Sequence, residues 1–153
     1  MVGEEVWVAL AAGLAVGIPG IMSAIGVGIA GVAASAISAE DPRKFSKLFV
    51  LEVLPGTQGI YGFVAGFLIM FVTYPKFAAL GIVGLLVLAA AVPAILQGFT
   101  AYTQGRVAAA GASVIAKRPE IFGQTIMYTV MVELYAILGL LATILMLSGI
   151  GAL

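Results

Sequence analysis

The sequence contains no histidine and no cysteine, and only 9% of its 153 residues are charged. Without histidine the commonest general base is missing, and without cysteine there is no thiol nucleophile, no disulfide framework and little for a transition metal to bind. The serines have no histidine to activate them, so we do not expect hydrolytic chemistry in this chain. The net charge is zero and basic residues are few, which leaves nucleic-acid binding without an electrostatic basis. These absences disfavour an enzyme acting alone and give no support to a nucleic-acid-binding protein.

Apolar residues dominate what remains. They make up 63% of the chain, against roughly 45–50% in soluble domains. Four apolar segments each exceed the ~20 residues that span a bilayer as a helix, at about Val6–Ile37, Phe45–Tyr74, Phe77–Ile115 and Ile121–Leu153. Glu4 and Glu5 precede the first segment where a secretory signal would carry Lys or Arg, so we expect it to be a mature helix. The sequence predicts an all-α integral membrane protein with four transmembrane helices.

Two short, charged, proline-bearing loops separate the segments of each pair, at residues 38–44 and 116–120. Six of the seven basic residues lie near these loops, and only Lys76 lies near the middle loop. The positive-inside rule therefore predicts that both charged loops are cytoplasmic. Both termini are then on the opposite side of the membrane.

The two loops also mark an internal repeat. Pro42 and Phe45 recur as Pro119 and Phe122 at a constant offset of 77 residues, and several glycines keep the same register. This predicts two tandem hairpins, residues 1–76 and 77–153. Because both hairpins have the same loop sidedness, the repeat is parallel. A parallel repeat disfavours a carrier built from inverted repeats and favours a ring with equivalent stations.

Glu133 is the only carboxylate deep inside the fourth segment. An ionised acid near the bilayer midplane costs at least ~2.5 kcal/mol, so such a residue pairs, protonates or binds a cation. The alternative interpretation is a protonated acid that fixes helix packing, or one that snorkels to the surface. Glu52 is a second acid in an apolar setting, but it lies closer to the cytoplasmic interface and ranks below Glu133 as a candidate.

The second segment carries polar residues at membrane depth. On an ideal helix Leu54, Thr57, Gln58 and Tyr61 occupy one arc of about 100°. Pro55 removes a backbone hydrogen bond and exposes an upstream carbonyl, such as that of Leu54 or a neighbour, as a ligand. The arc therefore predicts one oxygen-rich face on this helix.

Gln104 adds a carboxamide in the third segment. Carbonyl and carboxylate oxygens are hard ligands that suit an unhydrated alkali cation better than a soft metal. With Glu133 supplying the charge, these residues predict a cation site. In the alternative interpretation the amides and hydroxyls only cross-link helices.

The runs 54–63, 104–111 and 132–139 resemble the proteolipid K subunit of bacterial V-type ATPases, and the resemblance covers essentially the whole chain. It implies a rotor subunit: copies of the double hairpin form a ring that turns against a stator membrane subunit, while soluble subunits joined through a central stalk hydrolyse ATP. The chain itself would carry the ion and no ATP chemistry. The resemblance also implies a bacterial plasma membrane. In the sodium-binding members of this family the ligands match the Leu54 backbone carbonyl, Thr57, Gln58, Gln104 and Glu133, with Tyr61 orienting the carboxylate.

One Na⁺ per chain is expected, because at the 77-residue offset Glu133 corresponds to Gly56 and the first hairpin has no matching acid. A proton-translocating ring remains the alternative, since a proton site needs only the carboxyl and one or two hydrogen bonds. A self-contained channel or carrier with Glu133 in a water-filled path is a further alternative, as is a helix assembler without transport.

Overall fold

The computed structural model describes residues 3–76 and 83–153, and every regular element within them is helical. Four helical spans are long and apolar enough to cross a membrane: the first (Glu4–Glu40), second (Pro42–Lys76), third (Gly84–Lys117) and fourth (Pro119–Gly149). The prediction of an all-α membrane protein with four spans is confirmed. The predicted start of the third segment at Phe77 lies outside the described residues, within which the third span begins at Gly84.

The spans differ in how continuous they are. The first is one α-helix, and the fourth is an α-helix over Phe122–Gly149 that follows a 3₁₀ turn at Pro119–Ile121. The second divides into α-helices Phe45–Val53 and Thr57–Leu68 around a 3₁₀ turn, Leu54–Gly56, and continues as a π-helical turn, Ile69–Thr73. The third divides into Gly84–Gln97 and Thr100–Lys117.

Small residues hold the first and third spans close together. Gly26 and Gly105 face each other, and a Cβ atom on Gly105 would collide with the backbone of Gly26. Gly62 meets the first span in the same way, against Ala15 and Pro19. The first span thus packs along both the second and the third, while the fourth packs along the third and also touches the second. Close backbone approach through small residues is a common way for helices to associate in lipid.

Hydrogen bonds between the hairpins align them at both ends. At one end Lys44 Nζ donates to the Ala116 carbonyl and Lys47 Nζ to the Pro119 carbonyl, each at 2.8 Å, so the two charged loops lie side by side. At the other end the Gly84 amide donates to Glu4 Oε2 at 2.7 Å. The first and third spans therefore run in the same direction. The division into hairpins 1–76 and 77–153 stays a prediction.

The first charged loop is ordered by its own ion pairs. Arg43 donates from Nε to Asp41 Oδ1 at 2.9 Å, and this hydrogen bond lowers the pKa of the Asp41 carboxyl from 3.8 to about 2. Asp41 also accepts from the Arg43 amide at the start of the 3₁₀ turn Pro42–Lys44. Asp41 therefore caps the N-terminus of this turn.

Candidate cation site

Glu133 lies inside the bundle, with 8% of its surface exposed. Its Oε1 accepts a hydrogen bond from Tyr61 Oη at 2.6 Å, and its Oε2 accepts one from Gln104 Nε2 at 3.3 Å. The three side chains come from the fourth, second and third spans respectively. Each oxygen of the carboxyl group therefore accepts a hydrogen bond from a different span.

Two fully buried carboxamides, those of Gln58 and Gln104, extend the hydrogen bonding of Glu133 into the bundle. Gln58 Nε2 donates to Gln104 Oε1 at 2.5 Å, and Gln104 Nε2 also donates to the Thr129 carbonyl at 3.1 Å. Hydrogen bonds therefore run in one direction, from Gln58 to Gln104 and from Gln104 to Glu133. Rotation of the Gln104 amide about its last side-chain bond exchanges its nitrogen for its oxygen, so the same residue can face a carboxylate or a cation.

The 3₁₀ turn at Leu54–Gly56 positions the next oxygens of the second span. Pro55 has no N–H to donate, and the Leu54 carbonyl accepts from the Thr57 amide and from Thr57 Oγ1, the latter at 2.8 Å. Thr57 Oγ1 is 3.4 Å from Gln58 Oε1. The turn therefore places a carbonyl, a hydroxyl and an amide oxygen in sequence along one side of the span.

The structure thus brings four of the six expected site residues into one hydrogen-bonded cluster, Tyr61, Gln58, Gln104 and Glu133. Thr57 adjoins the cluster through Gln58, and Leu54 adjoins it through Thr57. The assignment of these residues as ion ligands stays a prediction.

Gln97 supports the cluster; the sequence placed it on the same helical side as Gln104 but did not predict it as an ion ligand. It is buried, and its Nε2 donates to the Gln58 backbone carbonyl at 3.0 Å, which fixes the second span at the site. Its position seven residues before Gln104 was a usable signal, because that spacing places both amides on one side of the third span.

Ser23 and Thr129 are two further supports; the sequence predicted Ser23 only as a small residue at a helix–helix contact and did not single out Thr129. Ser23 Oγ accepts from the Gly59 amide at 2.7 Å and so joins the first span to the second beside the site. Thr129 contributes its backbone carbonyl to Gln104, and it lies one helical turn before Glu133. For Thr129 the i, i+4 spacing to the acid was a signal, and for Ser23 the signal was its place among small residues at helical spacing in the first span.

Glu52 lies apart from the cluster. It is half-buried, and its carboxylate lies beside Gly31 of the first span, where a Cβ atom would come within 2.9 Å of Oε1. No hydrogen bond among the described residues joins Glu52 to the site.

The chemistry of the cluster suits a hard monovalent ion. In residues 3–76 and 83–153 no three His, Cys, Asp or Glu side chains gather in one place. One carboxylate with hydroxyl, carboxamide and carbonyl oxygens nearby carries a single negative charge, which an alkali cation or a proton can neutralise.

Comparisons with known proteins identify relatives over most of the chain. A model of the family of ATP synthase C subunits matches residues 10–69 and 82–146. The A-type ATP synthase subunit K of Methanocaldococcus jannaschii is 42% identical over 152 residues, which cover 98% of this chain and 66% of that protein. The V-type sodium ATPase subunit K of Enterococcus hirae is 43% identical over 145 residues, which cover 94% of this chain and 92% of that protein.

Proposed function

Because the chain belongs to the family of ATP synthase C subunits, we propose that it is the ion-carrying rotor subunit of a V-type ATPase and binds one Na⁺ at Glu133. The observation that carries this proposal is the carboxylate held between Tyr61 and Gln104 inside a membrane span. ATP hydrolysis belongs to other subunits, and this chain carries the ion.

The electrostatics of Glu133 couple ion binding to rotation. Its neighbours Leu134 and Tyr135 are 45% and 66% exposed, so the site lies one residue from the outer surface of the chain. An ionised Glu133 cannot face lipid cheaply, whereas Glu133 bound to a cation is locally neutral. A subunit can therefore rotate past lipid only when Glu133 holds its ion. A subunit that has released its ion stays beside a polar surface of the stator.

Sodium is favoured over the proton by the supply of neutral oxygens. A proton needs only the carboxyl and one or two hydrogen bonds, but the second and third spans also carry Thr57, Gln58, Gln104 and the Leu54 carbonyl, in one series of hydrogen bonds that reaches the acid through Gln104. The relative from Enterococcus hirae, by its name a sodium ATPase subunit, supports the same ion. A ring of the same architecture that carries H⁺ is the alternative.

The partners follow from the rotor role. We infer a ring of identical chains that contacts a stator subunit within the membrane and a central stalk outside it. The paired loops 38–44 and 116–120 form one end of the chain and carry most of its basic residues, which supports a cytoplasmic position for that end. The chain is an integral membrane protein, and we propose the bacterial plasma membrane as its location.

Labelling with a hydrophobic carbodiimide tests the proposal. The intact membrane complex is treated at a fixed, mildly acidic pH with Na⁺, with K⁺ or with neither, and the modified residue is mapped by mass spectrometry. We expect labelling at Glu133 that Na⁺ suppresses and K⁺ does not. Labelling of Glu133 that depends on pH and not on Na⁺ would identify the ring as one that carries H⁺. Labelling at Glu52 alone, or at no residue, would contradict the site.

A further inference from the structure

Besides Glu133 of the ion site, two charged side chains lie more than two helical turns from the nearest end of a membrane span and have no ionic partner in the part of their own chain that the structure describes. They are Glu52 in the second span and Arg106 in the third. The ion pairs within residues 3–76 and 83–153 join Asp41 to Arg43 and Lys44, and Arg118 to Glu120, all in the loop regions. A charge at membrane depth is costly unless it is paired or hydrated, so each of the two charges needs a counterpart.

Glu52 opens onto the outer groove of the first hairpin. This groove of about 100 Å³ lies between the first and second spans, and Ala34, Ser35, Ser38 and Phe49 also line it. The carboxylate rests against Gly31, whose missing side chain leaves room for it. The groove therefore presents one negative charge on an otherwise nearly uncharged surface.

Arg106 lies on the third span beside the outer groove of the second hairpin. The side chain is exposed, and its guanidinium lies 5.8 Å from the centre of the Tyr102 ring. Its neighbours Val107 and Ala110 also line a groove of about 450 Å³ between the third and fourth spans. The second hairpin thus presents one positive charge beside its groove.

The two charges lie at similar depths. The two charged loops lie at the same depth along the bundle, because Lys44 Nζ donates a hydrogen bond to the Ala116 carbonyl. Glu52 follows Lys44 by eight residues and Arg106 precedes Lys117 by eleven. At the helical rise these spacings are about 12 Å and about 16 Å. Long Glu and Arg side chains can span that difference in depth.

We propose that Glu52 of one copy forms an ion pair with Arg106 of the adjacent copy, so that the groove of one first hairpin receives the second hairpin of its neighbour. This inference rests on the ring of the proposed function. A head-to-tail contact uses two different surfaces of one chain, and here these surfaces carry opposite charges. The pair neutralises both charges at once and sets the vertical register between neighbours.

The absence of cysteine from the chain makes this contact accessible to cross-linking. Membranes containing Glu52→Cys/Arg106→Cys are treated with a short bifunctional thiol reagent and analysed by denaturing gel. We expect a ladder of multimers, because every copy carries both halves of the contact. Each single variant should give no ladder. The matched control Ile60→Cys/Arg106→Cys should also give none, since Ile60 is exposed on the same span two turns deeper.

Neutral variants test whether charge is the reason for the contact. We expect Glu52→Gln and Arg106→Gln each to lower the temperature at which the purified ring dissociates in detergent, and the double variant to lower it no further. Additive shifts would overturn the pairing, as would the absence of a ladder. An effect of Arg106→Gln alone would assign Arg106 to an anionic lipid headgroup and would also overturn it.

The labelling of Glu133 separates this inference from the proposed function. If the ladder is absent while Na⁺ still suppresses carbodiimide labelling, the pairing is wrong and the rotor function stands. If the ladder forms while Glu133 is not labelled, the contact stands and the ion site is wrong.

Discussion

Replacing Gln104 by leucine is the sharpest test of the ion site, because Gln104 is the residue through which three spans meet. It is fully buried, accepts from Gln58 at 2.5 Å and donates to Glu133 at 3.3 Å. Leucine keeps a similar volume but makes neither hydrogen bond. The change therefore removes one proposed ligand and leaves the fold of the third span in place.

The size of the effect follows from the lost contacts. A hydrogen bond to a charged group contributes about 1.5–3 kcal/mol, and a buried group left without its partner costs about 1–3 kcal/mol. Leucine removes the oxygen that the Gln104 amide would turn to a cation. It also removes the 3.3 Å hydrogen bond to Glu133 Oε2 from the site without its ion, which offsets part of the loss and places the net effect near the lower end. Since about 1.4 kcal/mol is a tenfold change in an equilibrium constant, we expect Na⁺ binding to weaken at least about tenfold.

The assay is the Na⁺ concentration that halves carbodiimide labelling of Glu133 at fixed pH. Gln124→Leu is the matched control, because Gln124 is an exposed glutamine on the fourth span outside the cluster. We expect the half-protecting concentration to rise at least about tenfold in Gln104→Leu and to stay unchanged in the control. A value within about twofold of the unmodified ring, in a variant that still labels without Na⁺, would refute the ligand role of Gln104.

Three further outcomes are expected. Tyr61→Phe loses the 2.6 Å hydrogen bond to the site carboxylate and should also raise the half-protecting Na⁺ concentration about tenfold or more. Gly105→Ala should lower the free energy of unfolding in detergent by about 1–3 kcal/mol, whereas Gly28→Ala, with no atom near its Cβ position, should not lower it. The Asp41 carboxyl should titrate by NMR with a pKa of about 2, and Arg43→Gln should return that pKa towards 3.8. Because the folded pKa is lowered, the stabilising contribution of Asp41 is fully present above pH 3.8 and is lost as the pH falls towards 2.

The second span shows how far local sequence could predict this site. Pro55 predicted an upstream carbonyl free to act as a ligand; the structure has a 3₁₀ turn there in which the Leu54 carbonyl accepts from the Thr57 amide and hydroxyl, and its role as an ion ligand stays a prediction. The turn itself depends only on the proline and on residues within one helical turn of it. The orientation of the Gln58 amide could not be predicted in the same way, because its partner Gln104 lies 46 residues away.

Gln97 and Ser23 mark the limit of sequence reasoning. Each uses a buried polar atom to satisfy the backbone of the second span, at the Gln58 carbonyl and the Gly59 amide. A glutamine or serine in a membrane helix is equally compatible with contacts to another span, to its own helix or to a neighbouring chain. Only the packing of the first and third spans against the second selects among these partners.

The sequence by itself determined that this is a four-span membrane protein with one deep carboxylate and paired basic loops. These properties depend on hydrophobic length and on the cost of charge in lipid, which are local to each segment. The tertiary structure decided which groups meet Glu133. Tyr61 lies 72 residues from it and Gln104 lies 29, and only the close packing of helices through glycine brings their donors to the two carboxylate oxygens.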